Sequence, residues 1–296
     1  MTSALRNPSL TVAIPASLVA DTPHLREKTA KLGTVARACA IFGVHEIILY
    51  PEDMRHDRAG DMQFSSELLR FIETPQYLRK RLFKLTPSLR FTGILPPLQI
   101  PSHDVARSIR DCRQGDLREG VVINQREEIL AVDIGLDRTL ECRGKIPVGT
   151  RITVRLTAID KNLIGEIVDP SEIRISQPEM KSIYWGYRVY EVVSLGKVLH
   201  DHRWDLKVGT SRYGVPVQQV LPSISKALRT SRSTLLAFGS PRMGLSQILK
   251  QEKLDPKDVF HYFVNTAPDQ QTVTVRTEEA IMVSLGIMNL AEKLAG

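Results

Sequence analysis

The last quarter of the chain, residues 235–290, holds the sequence pattern that most constrains the fold. Two short apolar runs there, at 235–238 and 262–264, end abruptly in turn residues, and a threonine-rich loop then leads into a long apolar helix. Strand ends that pass into loops and then a helix are how open α/β sheets build a ligand crevice at their carboxyl edge. Two ordinary strand-to-helix turns would show the same periodicity, so the pattern by itself leaves both explanations open.

The first fifty residues predict a strand–helix–strand unit. Residues 10–14 and 46–50 are short apolar runs, and between them apolar side chains recur at helical spacing over 25–39, with Lys31 largely off that stripe. The same alternation resumes towards the C-terminus, where a short strand passes into a turn within 206–214. This order predicts parallel strands joined by right-handed crossovers.

The sequence changes character between these two α/β segments. Five short β-like runs follow one another closely and indicate a small barrel of the OB-like type. Such barrels often bind single-stranded nucleic acid, and a purely structural insert is the alternative. We predict a discontinuous α/β domain, residues 8–96 and 180–296, interrupted by an inserted OB-like β-barrel domain at 97–179. The five runs are 120–123, 129–134, 139–142, 151–159 and 163–168.

The order of motifs is more specific than their composition. FGSPRMGL (238–245), VNTAPDQQTVTVRTEEA (264–280) and the long C-terminal helix together resemble the SPOUT class of methyltransferases. The archaeal and eukaryotic branch of RNA uridine-N3 methyltransferases is the most similar one, through the motifs TVAIPASLVADT, ETPQYLRKRLF, YWGYRV and GTSRYG. The resemblance therefore covers nearly the whole chain. It implies a SPOUT α/β domain with a C-terminal trefoil knot, here interrupted by the OB-like barrel.

The same resemblance implies a cofactor and the loops that hold it. The methyl donor would be S-adenosylmethionine, read by backbone groups of three loops. The family pattern has glycines on both sides of Gln270, where this chain has Asp269 and Gln271. Glycine permits positive φ at such a loop, so this departure bears on the loop's shape. The implied cofactor-binding residues are Thr210, Ser211, Phe238, Gly239, Gly244, Asn265, Thr266, Gln270, Val275 and Thr277.

Arg276 and Glu279 are the candidate catalytic residues. Uracil N3 is a weak nucleophile while it is protonated, so a base or a cation that stabilises the anion would help. Arg276 with Glu278 or Glu279 forms the charged cluster of the cofactor loop. For Glu279, the preference of helix N-termini for acidic residues is an equally good explanation.

The charge balance favours a polyanionic partner. The chain has 40 basic and 33 acidic residues, a formal net charge of +7. The candidate RNA-binding residues Arg79, Lys80, Arg81 and Lys84 are expected to face outward from a short helix and to contact phosphate; a solvated charged face is the alternative. Barrel arginines, including Arg118, Arg151 and Arg155, are further candidates for following an RNA backbone.

Other features bound the cellular setting. The three cysteines, Cys39, Cys112 and Cys142, are far apart and odd in number, which fits a reducing cytosol and a cytoplasmic protein. No apolar run approaches the roughly 18 residues of a membrane span. We expect no metal site, because His200 and His202 lack a third ligand at metal spacing.

We predict an S-adenosylmethionine-dependent RNA methyltransferase that acts on a uridine N3 in ribosomal RNA. A non-catalytic RNA-binding or ribosome-assembly factor on a SPOUT scaffold is the alternative, as is methylation of a ribose 2′-hydroxyl. The C-terminal helix is apolar on nearly every side, and such a helix is buried on every side. SPOUT proteins pair through this region, so we expect a homodimer through the knot.

Overall fold

The computed structural model describes residues 9–53, 59–159, 162–169 and 184–294. Two compact units divide the chain. The first contains the residues up to Arg70, Ser88–Pro97 and those from Tyr187 onward, and the second contains Phe71–Pro87 and Leu98–Gly186.

These units differ from the expected domains at residues 71–87, 97 and 184–186. Residues 71–87 belong to the second unit, whereas the sequence analysis assigns them to the α/β domain. The expected boundary between residues 179 and 180 lies outside the described residues, as do the expected domain ends at 8 and 296.

Helices and strands are numbered in chain order. The strands are β1 Ser9–Pro15, β2 Glu46–Tyr50, β3 Leu117–Arg126, β4 Ile129–Asp133, β5 Leu140–Arg143, β6 Arg151–Ile159, β7 Leu163–Ile167, β8 Arg188–Glu191, β9 Leu206–Pro216, β10 Ser233–Ala237 and β11 Tyr262–Asn265. The helices are α1 Leu25–Ile41, α2 Ala59–Glu73, α3 Gln76–Leu82, α4 Leu195–His200, α5 Val217–Thr230, α6 Leu245–Gln251, α7 Pro256–Val259 and α8 Thr277–Lys293.

A parallel six-stranded sheet forms the centre of the first unit. Its strand order is β11-β9-β10-β1-β2-β8, and every neighbouring pair is parallel. Val12, Ala13 and Ile14 in β1 are fully buried, as are most residues of β2, because helices cover both faces of such sheets. The predicted α/β fold with a parallel sheet is confirmed.

The C-terminal helix α8 packs on α1 and α5 with one face only. Ile281, Leu285 and Met288 are buried on that face, whereas Val283 is 41% exposed and Leu290 is 53% exposed. The helix is therefore apolar on two sides, as the sequence indicates, and this chain buries one of them.

Strand β9 differs from the expected short strand followed by a turn. It continues to Pro216, and its pairing with β11 jumps from Gly209 opposite Phe263 to Val215 opposite Val264. Residues 210–214 are therefore a large bulge at the carboxyl end of the sheet. The expected turn after Thr210 was wrong, because β11 resumes pairing with the strand beyond the bulge.

Close packing explains the residue that ends this bulge. A Cβ on Gly214 would lie 2.5 Å from the carbonyl carbon of Val264 and 2.7 Å from its Cα. Real Cβ contacts are not this short, so only glycine allows the two backbones to approach.

A closed five-stranded barrel forms the core of the second unit. Its order is β3-β4-β5-β7-β6, in which β5 and β7 pair in parallel and the other pairs are antiparallel. Val122, Leu130, Val132 and Leu140 fill its interior. The predicted five-stranded barrel is confirmed.

An ionic network ties residues 71–87 to this barrel. Arg151 donates from Nη1 to Glu73 Oε2 at 2.6 Å and from Nε to Glu119. Trp185 Nε1 donates to Glu119 Oε1 at 2.5 Å. Arg151 and Arg118, which are candidates for RNA contact on sequence, are thus internal: Arg118 is fully buried and its Nη1 lies 2.6 Å from Asp104 Oδ2.

Candidate functional site at the carboxyl edge of the sheet

The three loops singled out on sequence grounds leave the sheet side by side. β11, β9 and β10 are adjacent and parallel, so the loop 238–244, the bulge 210–214 and the loop 266–276 all leave the same edge. Phe238 is fixed where the first of these loops begins. Its N–H donates to Ala13 O at 3.0 Å, and its carbonyl accepts a hydrogen bond from the Tyr50 hydroxyl.

Tyr50 keeps that hydroxyl as a donor. Burial raises the pKa of Tyr50 well above its ordinary value, with Glu52 and Glu252 adding to the effect. The phenol is therefore neutral over the physiological range, and its proton remains available to the Phe238 carbonyl.

The two candidate glycines of the loop 238–244 have different roles. A Cβ on Gly239 would lie 2.9 Å from Met243 O, inside a turn that Ser240 closes through its backbone and its hydroxyl. A Cβ on Gly244 would meet no atom within 4 Å, and Gly244 has φ −70° just before α6. The turn therefore requires glycine at position 239, whereas the space beside the Gly244 Cα is open.

Several predicted cofactor-binding side chains are bonded within the protein. Thr210 Oγ1 donates to Ala237 O at 2.9 Å, and Thr266 Oγ1 lies 2.8 Å from Ser284 Oγ. Thr277 Oγ1 donates to Gly239 O at 3.2 Å. These buried threonines therefore fix the positions of the loops.

The remaining candidates organise the bulge and the loop 266–276. Asn265 Nδ2 donates to Arg212 O at 3.0 Å while its Oδ1 accepts from Ala267 N at 2.9 Å. Ser211 Oγ accepts from Tyr213 N at 3.2 Å. Val275 is half-buried near the end of the loop 266–276, just before α8 begins.

One of the two residues that stand where the family pattern has glycine adopts a left-handed backbone conformation. Asp269 has φ +58°, the left-handed region that glycine favours and that Asp tolerates better than most residues. Gln270 Nε2 donates to Thr272 O at 2.9 Å, and Gln271 Nε2 donates to Asp269 O at 2.9 Å. The loop thus closes on itself without glycine.

The two candidate catalytic residues meet at the start of α8. Arg276 is the exposed N-cap residue, and its backbone N–H donates to Glu279 Oε2 at 2.9 Å. The Glu279 carboxylate therefore caps the helix, which is the alternative that the sequence left open. The Arg276 side chain is exposed beside the loop.

A buried ion pair beside these residues was missed on sequence. Lys31, expected largely off the apolar stripe of α1, has a side chain only 5% exposed. Its Nζ lies 2.7 Å from Asp21 Oδ1 and 3.5 Å from Glu278 Oε2. Lys31 precedes Val35 by four residues, so helical spacing places both on the same face of α1. The charge of Lys31 made that buried position easy to miss.

The candidate RNA-binding tract lies in the second unit and is only partly available. Arg79 donates to Thr74 O at 2.9 Å and Ile72 O at 3.0 Å, and its guanidinium lies 4.6 Å from the Phe71 ring centroid. The expectation that Arg79 faces outward was wrong, because it satisfies carbonyls at the end of α2. Arg81 pairs with Asp133 at 2.9 Å, whereas Lys80 and Lys84 are exposed.

The described part of the chain holds neither a metal-binding cluster nor a membrane-spanning helix. Over 9–53, 59–159, 162–169 and 184–294, no group of three or more His, Cys, Asp and Glu side chains is placed to hold a metal ion. Within the same ranges, no helix is both long enough and apolar enough to cross a bilayer.

Comparison with known proteins gives a family and named relatives. A family model described as “Putative RNA methyltransferase” matches residues 9–288. The 28S rRNA (uridine-N(3))-methyltransferase of Mus musculus is 32% identical and aligns with 95% of this chain and 76% of its own length. The Homo sapiens protein of the same name is 31% identical, over 95% of this chain and 77% of its own length.

Solved structures are more distant. The SpoU methyltransferase AviRb from Streptomyces viridochromogenes is 13% identical, with a TM-score of 0.36, over 97% of this chain and 60% of that one. A likeness at this level carries no argument about the site.

We expect the Lys31→Met substitution to destabilise the first unit strongly. It would leave the Glu278 carboxylate buried without a positive charge, and breaking a buried pair in this way costs about 3–5 kcal/mol. Urea denaturation measures the effect. The double substitution Lys31→Met/Glu278→Leu should recover most of the loss, and a double variant as unstable as Lys31→Met would contradict the pairing.

Proposed function

We propose that this chain, which belongs to the “Putative RNA methyltransferase” family, transfers a methyl group from S-adenosylmethionine to a uridine N3 in ribosomal RNA. The observation that carries the proposal is the extent of the match, residues 9–288, which includes every loop of the candidate site. The uridine and the ribosomal RNA come from the names of the mouse and human relatives.

The loops at the carboxyl edge suit S-adenosylmethionine. Gly244 faces open space where a ligand can approach the backbone, and the side chains of Thr210, Thr266 and Thr277 hold the surrounding loops in place. Backbone N–H and C=O groups are thus left to read an adenine edge. When bound, S-adenosylmethionine supplies an electrophilic methyl group, and the transfer needs mainly an in-line approach of the nucleophile.

Arg276 is the residue we assign to the reacting base. It is exposed at the start of α8, and Glu279 fixes its backbone. The N3 proton would pass to solvent water, and a guanidinium near uracil O2 or O4 would stabilise the anion that then takes the methyl group from the sulfonium. We assign Glu279 to positioning, because its carboxylate accepts the Arg276 N–H.

We further propose the finer features of the fold that the family resemblance implies. The loops around 239–244 and 266–276 would form a C-terminal trefoil knot, and the five-stranded barrel would be an OB-like insert that contacts RNA. Lys80 and Lys84 are the candidates for phosphate contact in the second unit, since both are exposed.

The Gly244→Val substitution should abolish S-adenosylmethionine binding and leave the fold intact. The valine side chain would enter the open space at the loop, and its φ of −70° suits any residue. Isothermal calorimetry measures the affinity. Gly93→Val is the matched control, because a Cβ there also meets nothing within 4 Å. Unchanged affinity in Gly244→Val would remove this loop from the cofactor site.

The Arg276→Ala substitution should slow methyl transfer by roughly 100- to 1,000-fold, the range for loss of one charge-stabilising group. A single-turnover assay with labelled S-adenosylmethionine and saturating RNA, prepared from cells that lack this protein, measures it. The control is Arg242→Ala, which removes another exposed arginine on a neighbouring loop.

The Lys80→Ala/Lys84→Ala variant should weaken RNA binding and make its salt dependence shallower.

Two results would count against this proposal. If Arg276→Ala transfers methyl groups at the wild-type rate, the arginine has no catalytic role. If the wild-type protein binds RNA but never binds S-adenosylmethionine, the chain is a non-catalytic RNA-binding protein on the same scaffold.

We propose a homodimer in which the exposed side of α8 is covered by a second copy. Val283 and Leu290 are large apolar residues exposed on that side, and a symmetric pairing would bury both. Light scattering should give the mass of two chains at micromolar concentration, and Val283→Lys/Leu290→Lys should give one. A wild-type monomer would contradict the proposal.

A further inference from the structure

We propose that Arg212 and Tyr213, at the tip of the β9 bulge, form a stacking platform for a nucleobase of the RNA substrate. The inference rests on the proposed function, since it names how RNA would engage the same site. Neither residue is among those that the sequence analysis assigned to the site.

The bulge places these two residues outside the sheet. Because residues 210–214 are left out of the pairing with β11, the chain between Gly209 and Val215 projects from the carboxyl edge. Gly214 anchors the return of this segment against Val264. Bulges are over-represented next to active sites, where they re-aim side chains.

Tyr213 is held rigid although it is exposed. Its side chain is 78% exposed, one of the most exposed aromatic rings of the described residues. The Arg212 guanidinium lies 4.7 Å from the ring centroid and donates from Nη2 to the Tyr213 hydroxyl. Ser211 Oγ fixes the Tyr213 backbone N–H. The ring is thus ordered before any ligand arrives, which lowers the entropy lost on binding.

The same arginine connects the platform to the candidate site. Arg212 Nη1 donates to Val273 O at 3.2 Å, and Arg212 O accepts from Asn265 Nδ2 at 3.0 Å. A groove of about 380 Å³ lies between the bulge and the loop 266–276, with Gln270 on its wall. This volume is within the range of about 300–1,000 Å³ for small-ligand clefts.

The groove offers a nucleobase both a stacking face and hydrogen-bonding groups. A planar cation against an aromatic ring gives a flat amphipathic face, and every base has a π-face that can stack on it. The walls carry the amide groups of Asn265 and Gln270, together with the Asp269 carboxylate and the exposed Val273 side chain. Bases of single-stranded RNA are recognised in this way, by stacking on aromatic rings and arginine planes.

The test compares binding of two probes to the full-length protein. One is a ten-nucleotide oligouridylate, and the other is a backbone of the same length that carries no bases. Tyr213→Ala should weaken oligouridylate binding by roughly 5- to 150-fold, the effect of losing one stacked base. Tyr213→Phe should keep wild-type affinity because the ring remains. Binding of the base-free backbone should be unchanged in both variants.

A matched control separates the platform from exposed tyrosines in general. Tyr190→Ala removes a ring that is 38% exposed on β8, at the opposite edge of the sheet, and should leave oligouridylate binding unchanged. The urea midpoints of the Tyr213 variants should be those of the wild type, since Tyr213 is exposed.

Three outcomes would overturn the platform. One is Tyr213→Ala binding oligouridylate like the wild type, and another is an equal loss of affinity for both probes, which would indicate a backbone contact. A fall in molecular mass to one chain, with unchanged oligouridylate affinity, would assign the surface to a second copy. Methyl transfer by the wild-type protein is measured separately. Its absence would reject the proposed function, and the comparison of the two probes would still test the platform.

Discussion

Three consecutive side chains at the start of α8 hold the candidate site together. Thr277 bonds to the carbonyl of Gly239, Glu278 pairs with Lys31 inside the unit, and Glu279 caps the helix through the N–H of Arg276. Thr277 thus fixes a neighbouring loop, Glu278 fixes α1, and Glu279 fixes the N-terminus of α8. The pair between Glu278 and Lys31 has the largest effect, because a buried charge without its partner is strongly destabilising.

This arrangement separates the groups that build the site from those that face a ligand. The hydroxyls of Thr210 and Thr266 are bonded to Ala237 and Ser284. Polar side chains that are satisfied inside the protein hold loops in a single conformation, because breaking such bonds leaves buried groups unpaired. The backbone of these loops is then preorganised. A site of this kind depends on loop shape more than on the identity of any one side chain.

The fold was largely predictable from local pattern, and the site only in part. Strand and helix periods and their order predict the parallel sheet and the five-stranded barrel, although the sheet joins strands as far apart in the chain as β1 and β10. Helical spacing could place Lys31 on the buried face of α1, but its partner Glu278, near the other end of the chain, was not predictable from neighbouring residues. Arg79 reads as a surface cation until Phe71 and the carbonyls at the end of α2 are seen around it. The bulge in β9 needed the register of β11.

The left-handed conformation of Asp269 affects the loop before any ligand is present. A glycine at this position would have a wider choice of backbone conformations in the open loop, and closing over a ligand would remove that freedom. Aspartate has fewer conformations to lose, although holding φ +58° involves some strain. The loop of this chain therefore loses less backbone entropy than a glycine loop would when it settles into a single conformation.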